Sequence, residues 1–113
     1  MKGMNRVVLM GHLSDNPTSE STPSGKKVAI FHIATNEFIK NEEGEKIKRT
    51  DWHKITTYGK MAESCEKMLK KGSMVLVEGK IRNTKSNPNK EKPSYEILAT
   101  EVSFISNYNT NPA

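Results

Sequence analysis

Apolar and polar residues alternate along much of this chain with the period of two that is typical of β-strands. Five segments rich in β-branched and aliphatic residues predict strands: residues 6–13, 27–35, 51–58, 74–82 and 95–105. The second segment is apolar on both faces, so we expect both faces to be largely covered. Gly79 in the fourth segment, and a slip of the alternation near Thr100 in the fifth, each predict a bulge or a bend.

After Gly59 the period changes to about 3.6 residues, which predicts one short helix of about three turns. Lys70, Lys71 and Gly72 predict where this helix ends, because cations suit its negative end and glycine adopts the left-handed conformation. The apolar face of the helix consists of Met61, Ala62, Cys65, Met68 and Leu69.

Polar segments separate these elements. Residues 22–25 predict a turn, and residues 40–49 and 86–93 predict solvated loops between strands. Five strands with one helix between the third and fourth is the order of an OB-fold. We therefore expect an all-β protein, a five-stranded partly open barrel with long hairpin arms, spanning residues 1–106. Residues 107–113 are polar and predicted to be disordered.

The charge of the chain favours a polyanionic partner. The sequence has 18 Lys and Arg residues and 13 Asp and Glu residues, which gives a net charge of +5. This excess does not choose between DNA, RNA and an anionic membrane. No apolar run approaches the roughly 18 residues of a membrane span, and no secretory signal is recognisable. The single cysteine, Cys65, allows neither an internal disulfide nor a Cys-based zinc site, and a reducing cytoplasm is the simplest setting.

The third predicted strand carries the candidate chemistry. By alternation one face holds Trp52, Lys54, Thr56 and Tyr58, and the other holds His53, Ile55 and Thr57. Two rings with a cation between them suit a single-stranded nucleic acid, because every base offers a face for stacking. The alternative is that both rings belong to the barrel core. Phe31 and Phe104 have no cation in register and are assigned to the core.

Basic residues also cluster on two predicted arms. The first arm holds Lys40, Lys46, Lys48 and Arg49, and the second holds Lys80, Arg82 and Lys85. Glutamates interleave with the cations of the first arm, which an ordinary solvated hairpin explains. The second arm has no acid from residue 80 to residue 89 and is the better candidate for phosphate contacts.

No residue pattern predicts catalysis, a metal site or another cofactor. The three histidines fall on different predicted strands, without a Cys or carboxylate at metal-ligand spacing, so packing or hydrogen bonding is their expected role. The Gly25–Lys26 pair lacks the upstream glycine of a P-loop, because position 20 is Glu. Cys65 lies on the apolar helix face and is expected to be a buried structural thiol.

Six segments, in this order and spacing, resemble bacterial-type single-stranded DNA-binding proteins: residues 4–13, 22–25, 34–37, 50–54, 58–63, and 69–73 with 77–82. The resemblance covers nearly the whole chain. It implies an OB-fold that assembles as a homotetramer and wraps single-stranded DNA without sequence preference. It also implies a cytoplasmic, nucleoid-associated protein that protects single strands in replication, repair and recombination.

The resemblance also implies roles for individual residues. It assigns base stacking to Trp52 and Tyr58, and Phe38 can substitute for an arm aromatic that aligns with Ile39. His53 is implied near subunit contacts. A further stacking aromatic aligns with Ser86 and is lost, so we expect weaker binding per subunit and a larger electrostatic share. The implied phosphate contacts are Lys2, Lys54, Lys60, Lys71, Arg82 and Lys85.

The end of the sequence departs from the family pattern, in which a polar linker leads to an acidic tip that recruits repair proteins. No acid follows Glu101 here, so we expect a tailless member or a truncated chain without recruitment by that route. Two other functions stay open: a primosome-type OB protein that is dimeric and works through protein assembly, and an RNA-binding OB protein, because stacking does not exclude ribose.

Overall fold

The computed structural model describes residues 2–84 and 94–107. These residues form, in order, β1 (Val7–Leu13), β2 (Thr18–Ser21), β3 (Lys27–Lys40), β4 (Lys46–Tyr58), α1 (Gly59–Met68), β5 (Met74–Asn83) and β6 (Tyr95–Ser106). The five predicted strands and the predicted helix are all present. The predicted loop over residues 86–93 lies outside the described residues, as do residues 108–113.

Five strands close into a barrel in the order β1-β5-β6-β4-β3, and β1 pairs back onto β3. The closure joins only two residue pairs, His12 with Ala34 and Leu13 with Ile33. Every neighbouring pair is antiparallel except β4 with β6, which run parallel. The pairing of β4 with β6 likewise joins two residue pairs, Ile55 with Ile97 and Thr56 with Leu98. The predicted OB-fold is confirmed.

The strand β2 is absent from the sequence prediction. It pairs with β3 alone, on the outer edge of the sheet, and all four of its residues are exposed. Its sequence, Thr-Ser-Glu-Ser, has no apolar face to bury. Backbone hydrogen bonds hold such a strand, and they leave no hydrophobic period to read.

Apolar side chains fill the barrel, and α1 covers one end of it. The largest buried side chains include Phe31, which confirms its assignment to the core. Each such side chain contributes about 1.5–3 kcal/mol when it leaves water. The core cluster consists of Leu13, Phe31, Ile33, Ile55, Cys65, Leu69, Val75, Val77, Ile97 and Ala99.

The assignment of Phe104 to the core is wrong, and so is that of Met68 to the buried face of the helix, because both residues are exposed. Phe104 is 38% exposed, because it lies near the end of β6, close to the rim of the barrel. Met68 is also exposed. The helix ends at Met68, and the backbone becomes extended at Leu69, so of these two neighbours Leu69 reaches the core and Met68 does not.

The turn after α1 differs from the predicted helix end. Gly72 does have left-handed backbone, with φ of 89°, as the sequence indicated. It lies, however, in a separate turn in which the Ser73 amide donates to the carbonyl oxygen of Lys70 at 2.9 Å. The basic residue in the last helical turn is Lys67.

Two hairpin arms extend from the barrel. In the β3–β4 arm, residues 36–40 pair with residues 46–50, so the prediction of a loop over residues 40–49 is wrong. The connection covers residues 41–45 only, and the Asn41 side chain accepts hydrogen bonds from the amides of Glu43 and Glu45. The polar pairs of this arm hid the strands, since exposed faces carry no hydrophobic period.

The β5–β6 arm, residues 80–83 paired with residues 95–98, begins at a bulge. The register shifts between Glu78 and Gly79, and Thr100 is left without a strand partner. This confirms both predicted irregularities. A Cβ atom on Gly79 would lie 2.2 Å from the carbonyl oxygen of Leu98, so only glycine allows the two strands to approach this closely here.

Candidate nucleic-acid interface

Trp52 projects from the outside of the barrel. Its side chain is 62% exposed, so it does not belong to the core. Its partner on β3 is Ala34, which is too small to cover the indole ring. Ser14 and His32 line one groove beside the ring. A second groove, the Trp52 groove, is lined by Trp52, His53, Lys54, Ile81, Tyr95, Glu96 and Ile97.

Tyr58 lies at the end of β4 and is half-buried. Lys26 Nζ is 5.4 Å from the centroid of its ring, and the guanidinium carbon of Arg82 is 5.9 Å away. Arg82 also donates a hydrogen bond to the Tyr58 hydroxyl at 3.2 Å. Both distances to the ring fall within the range of cation–π contacts. The ring of Tyr58 therefore has two cations beside it, Lys26 and Arg82.

A half-buried carboxylate, that of Glu96, contacts Arg82 and Thr56. Glu96 accepts hydrogen bonds from Arg82 and from the Thr56 hydroxyl, each at 2.8 Å. Burial alone raises the pKa of Glu96, but the two hydrogen bonds and the positive charges of Arg82 and Lys54 outweigh burial and lower it. The hydrogen bonds to Glu96 and Tyr58 raise the pKa of Arg82. Thr56, predicted on the face of Trp52, is buried by this arrangement.

The β3–β4 arm presents a basic and aromatic face. Phe38 is exposed and pairs with Lys48, and Lys46 Nζ lies 4.6 Å from the centroid of the Phe38 ring. The registers place Lys40 and Lys46 opposite each other and Ala34 opposite Trp52. Alternation therefore puts the three lysines and Phe38 on the same face as Trp52. Sequence reasoning had treated these lysines as an ordinary solvated hairpin.

The other predicted phosphate contacts are scattered. Lys54 is half-buried and lines the Trp52 groove. Lys2, Lys60 and Lys71 are exposed, and none of them lines either groove beside Trp52. Lys85 lies outside the described residues.

His53 points away from the indole ring, as the alternation predicted. Its Nε2 is 2.8 Å from the Thr35 hydroxyl, and the side chain is half-buried. Its role at a subunit contact stays a prediction.

On the outside of the barrel, β1 and β5 expose an apolar patch, the outer sheet face, formed by Val8, Met10 and Leu76. Arg6 and Glu78 form an ion pair at its edge.

Sequence reasoning missed Tyr95 and Ile81 in the Trp52 groove. Tyr95 is 61% exposed, as much as Trp52, and Ile81 is also exposed. Both belong to the β5–β6 arm, which follows α1 in the chain. No local signal could have placed them beside β4, because the pairing of β4 with β6 is decided by closure of the barrel.

The single cysteine of the chain, Cys65, has a buried side chain, as expected. Burial raises the pKa of Cys65 to about 11, against a smaller lowering by its hydrogen bond with Thr57. A thiol with this pKa is almost entirely protonated at neutral pH, which fits a structural residue. Within residues 2–84 and 94–107, no helix is long and apolar enough to cross a membrane.

A barrel with one covering helix, basic arms and exposed rings defines an OB-fold of the kind that binds extended polymers. The chain belongs to the single-strand binding protein family, whose model matches residues 4–105. This family consists of binding proteins and not of enzymes, in agreement with the sequence analysis.

Named relatives match most of this chain. The chain is 37% identical over 107 residues to single-stranded DNA-binding protein 1 of Chlorobaculum tepidum, covering 92% of this chain and 66% of that protein. It is 36% identical over 110 residues to a single-stranded DNA-binding protein of Neisseria meningitidis, covering 96% and 63%. The chain thus spans just under two thirds of the length of these relatives.

Solved structures show the same fold. A Plasmodium falciparum SSB in complex with ssDNA superimposes with a TM-score of 0.85 at 31% identity, covering 94% of this chain and 98% of that one. A deletion mutant of the single-stranded DNA binding protein from Thermus aquaticus gives a TM-score of 0.79 at 25% identity, covering 92% and 51%.

Proposed function

We propose that this chain binds single-stranded DNA without sequence preference, and that it coats and protects single strands in replication, repair and recombination. The observation that carries the proposal is the exposed Trp52 ring, which lies between two grooves on the same face as Phe38. The named relatives and the solved complex with ssDNA support it.

Base stacking and phosphate neutralisation both contribute to the proposed binding of single-stranded DNA. Trp52, Phe38 and Tyr58 stack on bases, each for about 1–3 kcal/mol, and any base satisfies them. Lys54 and the lysines of the β3–β4 arm neutralise phosphates between the rings, and Arg82 joins them by exchanging Glu96 for a phosphate. Each phosphate neutralised steepens the salt dependence, with a log–log slope of about −0.7. Further cations that extend this path are Lys2, Lys60, Lys71 and Lys85.

We also propose a homotetramer in which DNA passes from one subunit to the next. The outer sheet face supports this, since Val8, Met10 and Leu76 are exposed together and an ion pair borders them. The substitution Met10→Glu should lower the molar mass measured by light scattering, whereas Met68→Glu on the exposed end of α1 should not. An unchanged mass for Met10→Glu would place the subunit contact elsewhere, with His53 as the next site to test.

A protein with this ligand belongs where single-stranded DNA arises. We therefore propose that it works in the cytoplasm in association with the nucleoid. Fluorescent fusions should form foci at stalled replication forks, and a uniform distribution after replication is blocked would contradict this.

The fluorescence of Trp52 tests the proposal directly, because it is the only tryptophan in the chain. Titration with poly-dT should quench it strongly at low salt and less at high salt, while double-stranded DNA of equal charge should leave it unchanged. Poly-rU in a parallel titration tests the RNA-binding alternative, which predicts binding at least as tight as that of poly-dT. No quenching by any single strand, with the barrel folded, would favour the protein-assembly alternative.

A further inference from the structure

The Trp52 groove has two walls, and the predicted stacking residues account for only one of them. Trp52 and Lys54 of β4 form the first wall. The second wall is formed by Ile81 and Tyr95, which project from the β5–β6 arm. The groove has a volume of about 390 Å³ and opens to solvent. This volume lies within the roughly 300–1,000 Å³ that is typical of sites for small organic groups.

The chemistry of the second wall suits a planar ring. Tyr95 is 61% exposed although it is a large aromatic residue, and Ile81 beside it is exposed as well. Exposed apolar side chains that share one concave surface mark a place where a ligand or partner leaves water. An aromatic side chain and an aliphatic one are the surfaces on which a flat, weakly polar group packs well.

Charge indicates what the flat group is attached to. Lys54 lines the same groove, and so does Glu96, which holds Arg82 in an ion pair. An apolar slot flanked by cations fits a base whose own sugar–phosphate chain runs past the two charged groups. A neutral aromatic metabolite would offer no phosphate to Lys54, or to Arg82 in place of Glu96.

We infer that Tyr95 and Ile81 form the second wall of a base-binding groove whose first wall is Trp52, so that a nucleobase of the bound single strand lies between β4 and the β5–β6 arm. This inference rests on the proposed function and deepens it. Tyr95 is then a binding residue in its own right. It supplies the β5–β6 arm with an aromatic contact, whereas position 86 of the sequence holds a serine.

The test compares Tyr95→Ala with Tyr95→Phe, using Met68→Ala as a control at an exposed apolar residue outside the groove. Loss of one stacked base corresponds to a drop in affinity for poly-dT of about 5- to 150-fold. We expect this drop for Tyr95→Ala, while Tyr95→Phe and Met68→Ala should stay within about twofold of the parent chain, a difference of less than 0.5 kcal/mol. Unchanged affinity for Tyr95→Ala would overturn the inference, and so would a loss accompanied by a change in molar mass.

The parent chain separates the two possible failures. If its Trp52 fluorescence does not respond to poly-dT, the proposed function fails. If it responds and Tyr95→Ala binds equally well, only the second wall fails. Irradiation of a complex with an oligonucleotide that carries 5-iodouracil gives an independent readout. A covalent adduct mapped to Tyr95 by mass spectrometry is expected, and adducts confined to other residues would contradict a base at this wall.

Discussion

Replacing Glu96 with glutamine should weaken the fold slightly and tighten the binding of single-stranded DNA. The carboxylate holds Arg82 and Thr56, and its side chain is 11% exposed while that of Arg82 is 43% exposed. Glutamine keeps an oxygen to accept one hydrogen bond but loses the charge. Hydrogen bonds to charged groups contribute about 1.5–3 kcal/mol, and exposed ion pairs about 0–1 kcal/mol. We expect a loss of about 1 kcal/mol in the free energy of unfolding.

The effect on binding has the opposite sign, because Glu96 competes with phosphate for the guanidinium of Arg82. Substitution removes a negative charge beside the proposed path of the strand. For charges several ångströms apart near a protein surface this is worth about 1 kcal/mol after screening, or roughly a fivefold gain in affinity. In the parent chain Arg82 divides between Glu96 and a phosphate, so its release completes one phosphate contact. The log–log salt slope should therefore become steeper by up to about 0.7.

Two assays measure these effects. Urea unfolding gives the stability, and titration of Trp52 fluorescence with poly-dT at several salt concentrations gives the affinity and its slope. Lys27 and Glu66 form an ion pair beside α1, so Glu66→Gln is a matched control that should leave the salt slope unchanged. A folded Glu96→Gln variant with equal or weaker binding, or with an unchanged slope, would refute the competition between Glu96 and phosphate.

The same pair gives a pH dependence with a defined sign. The folded state lowers the pKa of Glu96 below its ordinary value near 4.5. The unfolded chain therefore takes up a proton first as the pH falls, and stability decreases from about pH 4.5 downwards, through the lowered pKa. Above that range the contribution is fully present. Unfolding measured between pH 3 and 6 should show a smaller decrease for Glu96→Gln than for the parent, and equal decreases would contradict this.

Three further substitutions test other parts of the structure. Trp52→Ala should cost roughly 1–3 kcal/mol of binding per subunit in an anisotropy titration with labelled oligo-dT; unchanged affinity would mean that the ring is idle. Gly79→Ala places a Cβ atom 2.2 Å from the carbonyl oxygen of Leu98, so the thermal midpoint should fall by several degrees, equivalent to about 1–3 kcal/mol; an unchanged midpoint would show that the bulge relaxes freely. Ile55→Ala should cost about 2–5 kcal/mol in urea unfolding, because the side chain is fully buried; a cost below 1 kcal/mol would show that the core collapses around the deletion.

Sequence alone determined the features that depend on neighbouring residues. Alternation located the five barrel strands, and the change of period located α1, because each pattern is complete within about ten residues. The bulge at Gly79 and Thr100 followed from a glycine and from a slip of register within single strands. Phe31 and Cys65 lie where their apolar surroundings in the sequence put them. Alternation left the exposure of Trp52 open, because it divides the residues of a strand between two faces but does not show which face is exposed to solvent.

Tertiary structure decided everything that needs two distant segments. The edge strand β2 and the polar pairs of the β3–β4 arm exist through backbone hydrogen bonds to a partner, which leave no trace in the hydrophobic pattern. Met68 and Phe104 lie at the ends of elements, where burial depends on what the barrel places beside them. Arg82 is engaged by Glu96 because the register of the β5–β6 arm pairs the two residues. Tyr95 lines the same groove as Trp52 because closure brings β6 alongside β4. The chemistry of a side chain determines which groups it can bind, but the tertiary pairing of the strands determines which residue lies next to it.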